Sequence, residues 1–226
     1  YITKSKKKHL YNMAIKLNIP ESLNEITLGQ YQKWVKITEG KELNSFFQQK
    51  MIEIFCKSRL IDTLRMKAKD INEITLGLNK IFEAKPTLKT LCNINDKEFG
   101  FIPKLDDMSF GEYIDLDNYL SDWENMHLAM GVLFRPVKFK KNNEYIIEKY
   151  ETASKYDMKQ MPLDVVMGSL VFFWNLKTEL LKHIANYLQN QEVVKLPQHL
   201  IASLKNGVGF NPFTDSVMET LETYTK

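Results

Sequence analysis

Apolar residues return every three or four positions through most of this chain, which is the period of a helix packed on one side. Leu28, Tyr31, Trp34, Val35 and Thr38 share one stripe, opened by Thr27-Leu28-Gly29-Gln30. That tetrapeptide has the form of a capping box, in which a Thr hydroxyl and a Gln side chain satisfy each other's backbone N–H groups. Gly40 follows where a C-cap glycine belongs. A second stripe, Leu43, Phe46, Phe47, Met51, Ile54 and Phe55, predicts a helix over 43–58, and its Phe-rich face predicts core. Ile71, Ile74, Leu78, Ile81 and Phe82 predict a third over 69–83, closed by Pro86.

The pattern then changes. Residues 87–94 and 99–102 form a β-hairpin on this reading, with the turn at Asn93-Ile94-Asn95-Asp96. Ser109-Phe110-Gly111-Glu112 is a second capping box and starts the next helix. Another helix is expected from Ser121 or Asp122 to Arg135, ended by Pro136. Residues 137–139 and 145–148 make a second hairpin across Lys140-Lys141-Asn142-Asn143, and 151–160 reads as loop or short helix. Pro162 suits the first turn of a long helix to about Gln189. Shorter helices are expected over 197–205 and 213–224.

These elements predict a mainly α fold of the α+β type. It is a helical domain with one or two small β-hairpins and a long buried helix near 162–189. One domain over 1–226 is expected, the alternative being a division into helices at 1–86 and a hairpin-plus-helical core at 87–226. The core should come from the helices at 43–58, 109–135 and 162–189. Trp34, Phe47, Phe55, Trp123, Leu133, Phe173 and Trp174 should be largely buried in it. Leu163 to Leu176 is the most apolar run, but it is shorter than the roughly 20 residues of a membrane span and contains Asp164. It predicts a buried helix, and no contact with a membrane.

Composition narrows the function classes only a little. The chain has 226 residues, 44% hydrophobic, enough to bury a sizeable core. A net charge of +3 is too weak to imply nucleic-acid binding, and Lys4, Lys6, Lys7 and Lys8 are the only basic arm. Cys56 and Cys92 are too few for a disulfide framework and read as small buried residues in a reducing compartment. The basic N-terminus is followed by no apolar run, so no signal peptide is predicted.

The phrase Asn-Glu-Ile-Thr-Leu-Gly occurs at 24–29 and again at 72–77. The first copy opens a helix and the second falls inside one. Residues 26–31 and 108–113 share the order apolar, Ser/Thr, apolar, Gly, Glu/Gln, Tyr. Repeated helix-start chemistry accounts for that likeness.

No catalytic or metal signature is present. His9, His127, His183 and His199 form no HExxH, and there is no CxxC, P-loop or GxSxG. Asn206-Gly207-Val208-Gly209 is not a dinucleotide-binding loop, and no cofactor is predicted. Charge order is more informative. Residues 99–124 hold Asp106, Asp107, Glu112, Asp115, Asp117, Asp122 and Glu124 against Lys104 alone. The sign then reverses, with Arg135, Lys138, Lys140, Lys141 and Lys149 against Glu144 and Glu148. An acidic segment beside a basic one suits contact with a partner, including head-to-tail self-association, because complementary charge sets register. The seven acids at 106–124 together with Arg135, Lys138, Lys140 and Lys141 are the candidate contact set, eleven residues in all.

Residues 26–31, the phrase FGFIPKLDDMSFGEYIDLDNYLSDWENMHLAMGVLFRPV at 99–137 and MPLDVVMGSLVFFWNL at 161–176 resemble uncharacterised proteins of tailed bacteriophages. The likeness is to crAss-like and related phages of Bacteroidetes, in the style of tail-assembly and virion-morphogenesis proteins. The resemblance implies a non-enzymatic virion or assembly component, made in the bacterial cytoplasm and carried in the capsid, neck or tail. Its partners would be other phage structural proteins or further copies of itself. A transient tail-assembly chaperone is the alternative and should expose an apolar groove. A small-molecule enzyme is a further alternative and should show a deep polar pocket.

Overall fold

The computed structural model describes residues 17–173, apart from Leu43 and Asn143, together with Asn175. The helices expected beyond that point, and Trp174, lie outside the described residues.

Thr27 is extended, and α1 (Leu28–Thr38) begins after it; Thr27 Oγ1 accepts from Gln30 N–H at 3.3 Å and Gln30 Oε1 accepts from Thr27 N–H at 3.0 Å. The predicted capping box is therefore formed. Gly40 has φ of +66°, the left-handed conformation that ends helices on glycine. Helix α2 (Ser45–Phe55) starts at Asn44, whose side chain accepts from Phe46 N–H, and buries Phe47, Met51, Ile52 and Phe55. A short α3 (Leu60–Thr63) was not legible in the periodicity. Helix α4 (Ala68–Phe82) follows and contains the second Asn-Glu-Ile-Thr-Leu-Gly phrase in its interior.

Strands β1 (Leu91–Ile94) and β2 (Lys97–Phe101) pair antiparallel. Only Asn95 and Asp96 lie between them, both at positive φ (48° and 62°), as a tight hairpin turn requires. Ser109 caps α5 (Phe110–Leu120) through the second capping box. Helix α6 (Met126–Leu133) is shorter than expected at both ends. Arg135 and Pro136 do not belong to it. They lie in β3 (Phe134–Lys141), where Arg135 faces Gly100 and Pro136 faces Phe99. A proline pushes the residue before it out of the helical region, so the helix stops ahead of the Arg-Pro pair rather than at it. Strand β4 (Glu144–Ile147) completes a single antiparallel sheet of order β1-β2-β3-β4. The two hairpins are joined by β2–β3 pairing, which strand periodicity does not reveal.

The segment 151–160 forms two 3-10 turns, Ala153–Lys155 and Met158–Gln160. Pro162 precedes the next helix instead of occupying its first turn. It forms an isolated antiparallel bridge with Thr27, with Leu28 N–H donating to Met161 and Leu163 N–H to Ile26. Residues from 163 to 173 are helical and constitute α7.

One hydrophobic cluster runs from Leu23 to Val166 through α2, α4, the sheet, α5 and α6. Phe134 lies within it, its ring 5.3 Å from that of Phe101 in edge-to-face contact. Phe47, Phe55 and Leu133 are buried as expected, while Trp34, Trp123 and Phe173 are partly buried and packed against the cluster. Phe46 departs from its predicted stripe and is half exposed. Two glycines set the closest approaches. A Cβ on Gly131 of α6 would lie 2.0 Å from the Ala153 carbonyl oxygen, and one on Gly168 of α7 would lie 2.3 Å from that of Thr87.

Candidate functional site

Of the eleven charged residues expected to face a partner, two are interior. Glu112 is the third residue of α5 and completes the capping box on Ser109, whose N–H donates to Glu112 Oε2 at 2.7 Å. Its other oxygen accepts from Arg135 Nη1. The two side chains are only 7% and 10% exposed, so they fasten α5 to β3 and present almost no surface. Alternation along β3 turns the Arg135 side chain away from the Phe134 side, towards α5. Tyr150 stacks near the guanidinium at 5.8 Å and donates its hydroxyl to Asp115 Oδ2. Asp115 therefore serves the fold as well.

Burial alone would raise the Glu112 carboxyl; hydrogen bonds from Ser109 and the Arg135 guanidinium outweigh it and hold the carboxyl below its ordinary value. Asp122 accepts from Glu124 N–H at 2.8 Å and Asn125 Nδ2 at 2.9 Å, shaping the turn before α6. Glu124 pairs with Lys36 at 2.5 Å, and Lys140 with Glu98 at 2.8 Å.

Asp122, Glu124 and Lys140 are exposed but engaged in those turns and pairs; the rest of the set is smaller. Asp106 and Asp107 are exposed in a 3-10 turn ahead of α5. Asp117 lies two turns along α5, its carboxyl raised by partial burial. Lys138 and Lys141 are exposed on β3. Between these charges lie apolar side chains that charge counting overlooks. Phe110 is 74% exposed and Ile114 43%, one turn apart on α5. Phe139 and Ile146 are opposite each other in the β3–β4 register and are 58% and 61% exposed. The capping box could have located the first pair. It sets the helix phase, and a phase that buries Glu112 and Leu116 turns Phe110 and Ile114 outward. The second pair depends on an irregularity between Val137 and Phe139, where Lys138 has no partner in register.

Three of the clefts among the described residues lie elsewhere. A polar one, about 890 Å³, is bounded by α1, the end of α2, the turn at 122–125 and the turn at 157–160, with Lys33, Lys57 and Lys159 on its walls. The Ser58 hydroxyl, also on its wall, is buried with no hydrogen-bond partner among the described residues. A larger one beside α4 includes the Lys89–Asp164 ion pair. The third, about 500 Å³, is a mixed groove between α2 and α4 lined by Trp34, Phe47, Met51 and Leu76 together with polar side chains that include Gln48, Asn72 and Asn79. Among the described residues no three His, Cys, Asp or Glu side chains group to hold a metal ion, and no helix is long and apolar enough to cross a membrane.

Comparison of the chain with protein-family models, curated proteins and solved structures finds no match.

Proposed function

We propose that this chain is a non-enzymatic structural or assembly protein of a tailed phage, acting through protein–protein contacts in the capsid, neck or tail of the virion. The resemblance of residues 26–31, 99–137 and 161–176 to phage morphogenesis proteins supports the reading. The observation that carries it is the pair of exposed apolar patches, Phe110 with Ile114 beside acids and Phe139 with Ile146 beside lysines that outnumber Glu144. Large apolar side chains exposed next to a charged rim mark surfaces that another protein covers. The chain would be made in the bacterial cytoplasm and carried into the particle.

The groove between α2 and α4 favours a second reading, a transient tail-assembly chaperone. Its α2 wall presents Phe47 and Met51 beside Gln48, its α4 wall presents Leu76 among Asn72, Thr75 and Asn79, and Phe46 and Leu76 are 50% and 63% exposed. Mass spectrometry of purified virions and of infected-cell lysate separates the two. A virion component is found in the particle at stoichiometric copy number. A chaperone is found in the lysate with tail proteins and is missing from the particle.

A further inference from the structure

We infer that this chain binds a second copy of itself head to tail, the outer face of α5 on one copy meeting the β3–β4 hairpin of the next. The inference rests on the contact reading above and names the partner.

The two patches match in chemistry and oppose in charge. On α5, Phe110 and Ile114 lie one turn apart, with Asp106 and Asp107 ahead of them and Asp117 behind. On the hairpin, Phe139 and Ile146 face each other across the strands, with Lys138 and Lys141 alongside, Glu144 opposite Lys141, and Lys149 just beyond β4, so that the patch is net positive. None of these three acids or three lysines forms an ion pair among the described residues. Each patch repels its own kind. Two α5 faces would bring acids together, and two hairpins would oppose patches in which Lys138, Lys141 and Lys149 outnumber Glu144, whereas like charges in a contact are disfavoured. Nor do the patches cover each other within one copy, since all four apolar side chains are at least 43% exposed. The remaining arrangement joins unlike faces of successive copies. Such a heterologous contact closes into a ring or continues as a filament. The patch is small, so the contact should be micromolar or weaker and become effective where copies are concentrated.

Sedimentation of the full chain from micromolar to millimolar concentration tests this. The average mass should rise with concentration, and the apparent dissociation constant should increase roughly tenfold or more on going from about 0.05 to 0.5 M salt. Phe110→Ser and Phe139→Ser should each leave the chain monomeric. Mixed in equal amounts, the two variants should form a one-to-one pair and nothing larger, because only one intact face of each remains. Both side chains are exposed, so the variants should melt with the parent; Ile114→Ser and Ile146→Ser provide a second pair if either does not. A chain that is monomeric at every concentration, variants that assemble normally, or a mixture that stays monomeric would each overturn the inference. A monomeric chain that is nonetheless found in virions would discard the head-to-tail contact and leave the virion reading intact.

Discussion

Arg135 Nη1 donates to Glu112 Oε1 in the interior, joining the first turn of α5 to the second residue of β3. Removing one member of such a pair leaves the other charged and buried. Arg135→Met should therefore cost about 3–5 kcal/mol in urea unfolding. Replacing both residues with apolar ones should cost much less than the sum of the single changes, because no orphan charge remains. Additive losses would show that the pair is not coupled.

The same contact sets a pH dependence. The Glu112 carboxyl is lowered in the fold from its ordinary value of 4.5. A depressed carboxyl contributes stability that is complete above the unfolded value and lost as pH falls through the folded one. Stability should thus decline from just above pH 4.5 downward, and Glu112→Gln should flatten that decline while keeping a capping side chain, as Gln30 does in the first box. Asp117, raised by burial, acts in the opposite sense and gains as pH falls. An acid limb unchanged in Glu112→Gln would assign it to other groups.

Glycines in this fold should divide sharply. Gly131→Ala places a methyl on the Ala153 carbonyl and should destabilise by about 2–3 kcal/mol or more. Gly77 lies inside α4 with nothing within 4 Å of a Cβ, so Gly77→Ala should stabilise by about 0.5–1 kcal/mol. Thermal melts of the two variants should move in opposite directions.

Both cysteines should be slow to alkylate. Burial pushes the Cys56 thiol up to about 11, and burial together with the nearby Asp164 and Glu98 carboxylates pushes Cys92 up to about 12. The thiolate is the reactive species, so at pH 8 modification should be slow in the native chain and rapid in urea. Fast native labelling of Cys56 would contradict its burial at the end of α2.

Local chemistry was the most legible part of this chain. Both capping boxes, the Asn95-Asp96 turn, α2 and α4 follow from neighbours a few residues apart, and the α+β class follows from them. Distant pairing was less legible. The fusion of two hairpins depends on Phe99–Phe101 finding Phe134–Pro136, and no periodicity encodes which strand edge meets which. The charge reversal at 106–141 was visible, but a list of charges cannot separate Glu112 and Arg135, which are buried together, from Asp106 and Lys138, which are exposed. That distinction comes from helix phase and strand register. Those same two quantities turn Phe110, Ile114, Phe139 and Ile146 outward.

The bridge between Thr27 and Pro162 has a consequence for the order of events during synthesis. Leu28 and Leu163 are both fully buried, and each donates its backbone N–H across that bridge. While the ribosome has yet to deliver Met161, Leu28 lacks its carbonyl partner, and the turn at 158–161 that packs against Gly29 at the start of α1 is missing. The N-terminal helices should therefore remain protease-sensitive on nascent chains stalled before residue 161 and become protected together with α7, as one late cooperative step rather than an early independent unit.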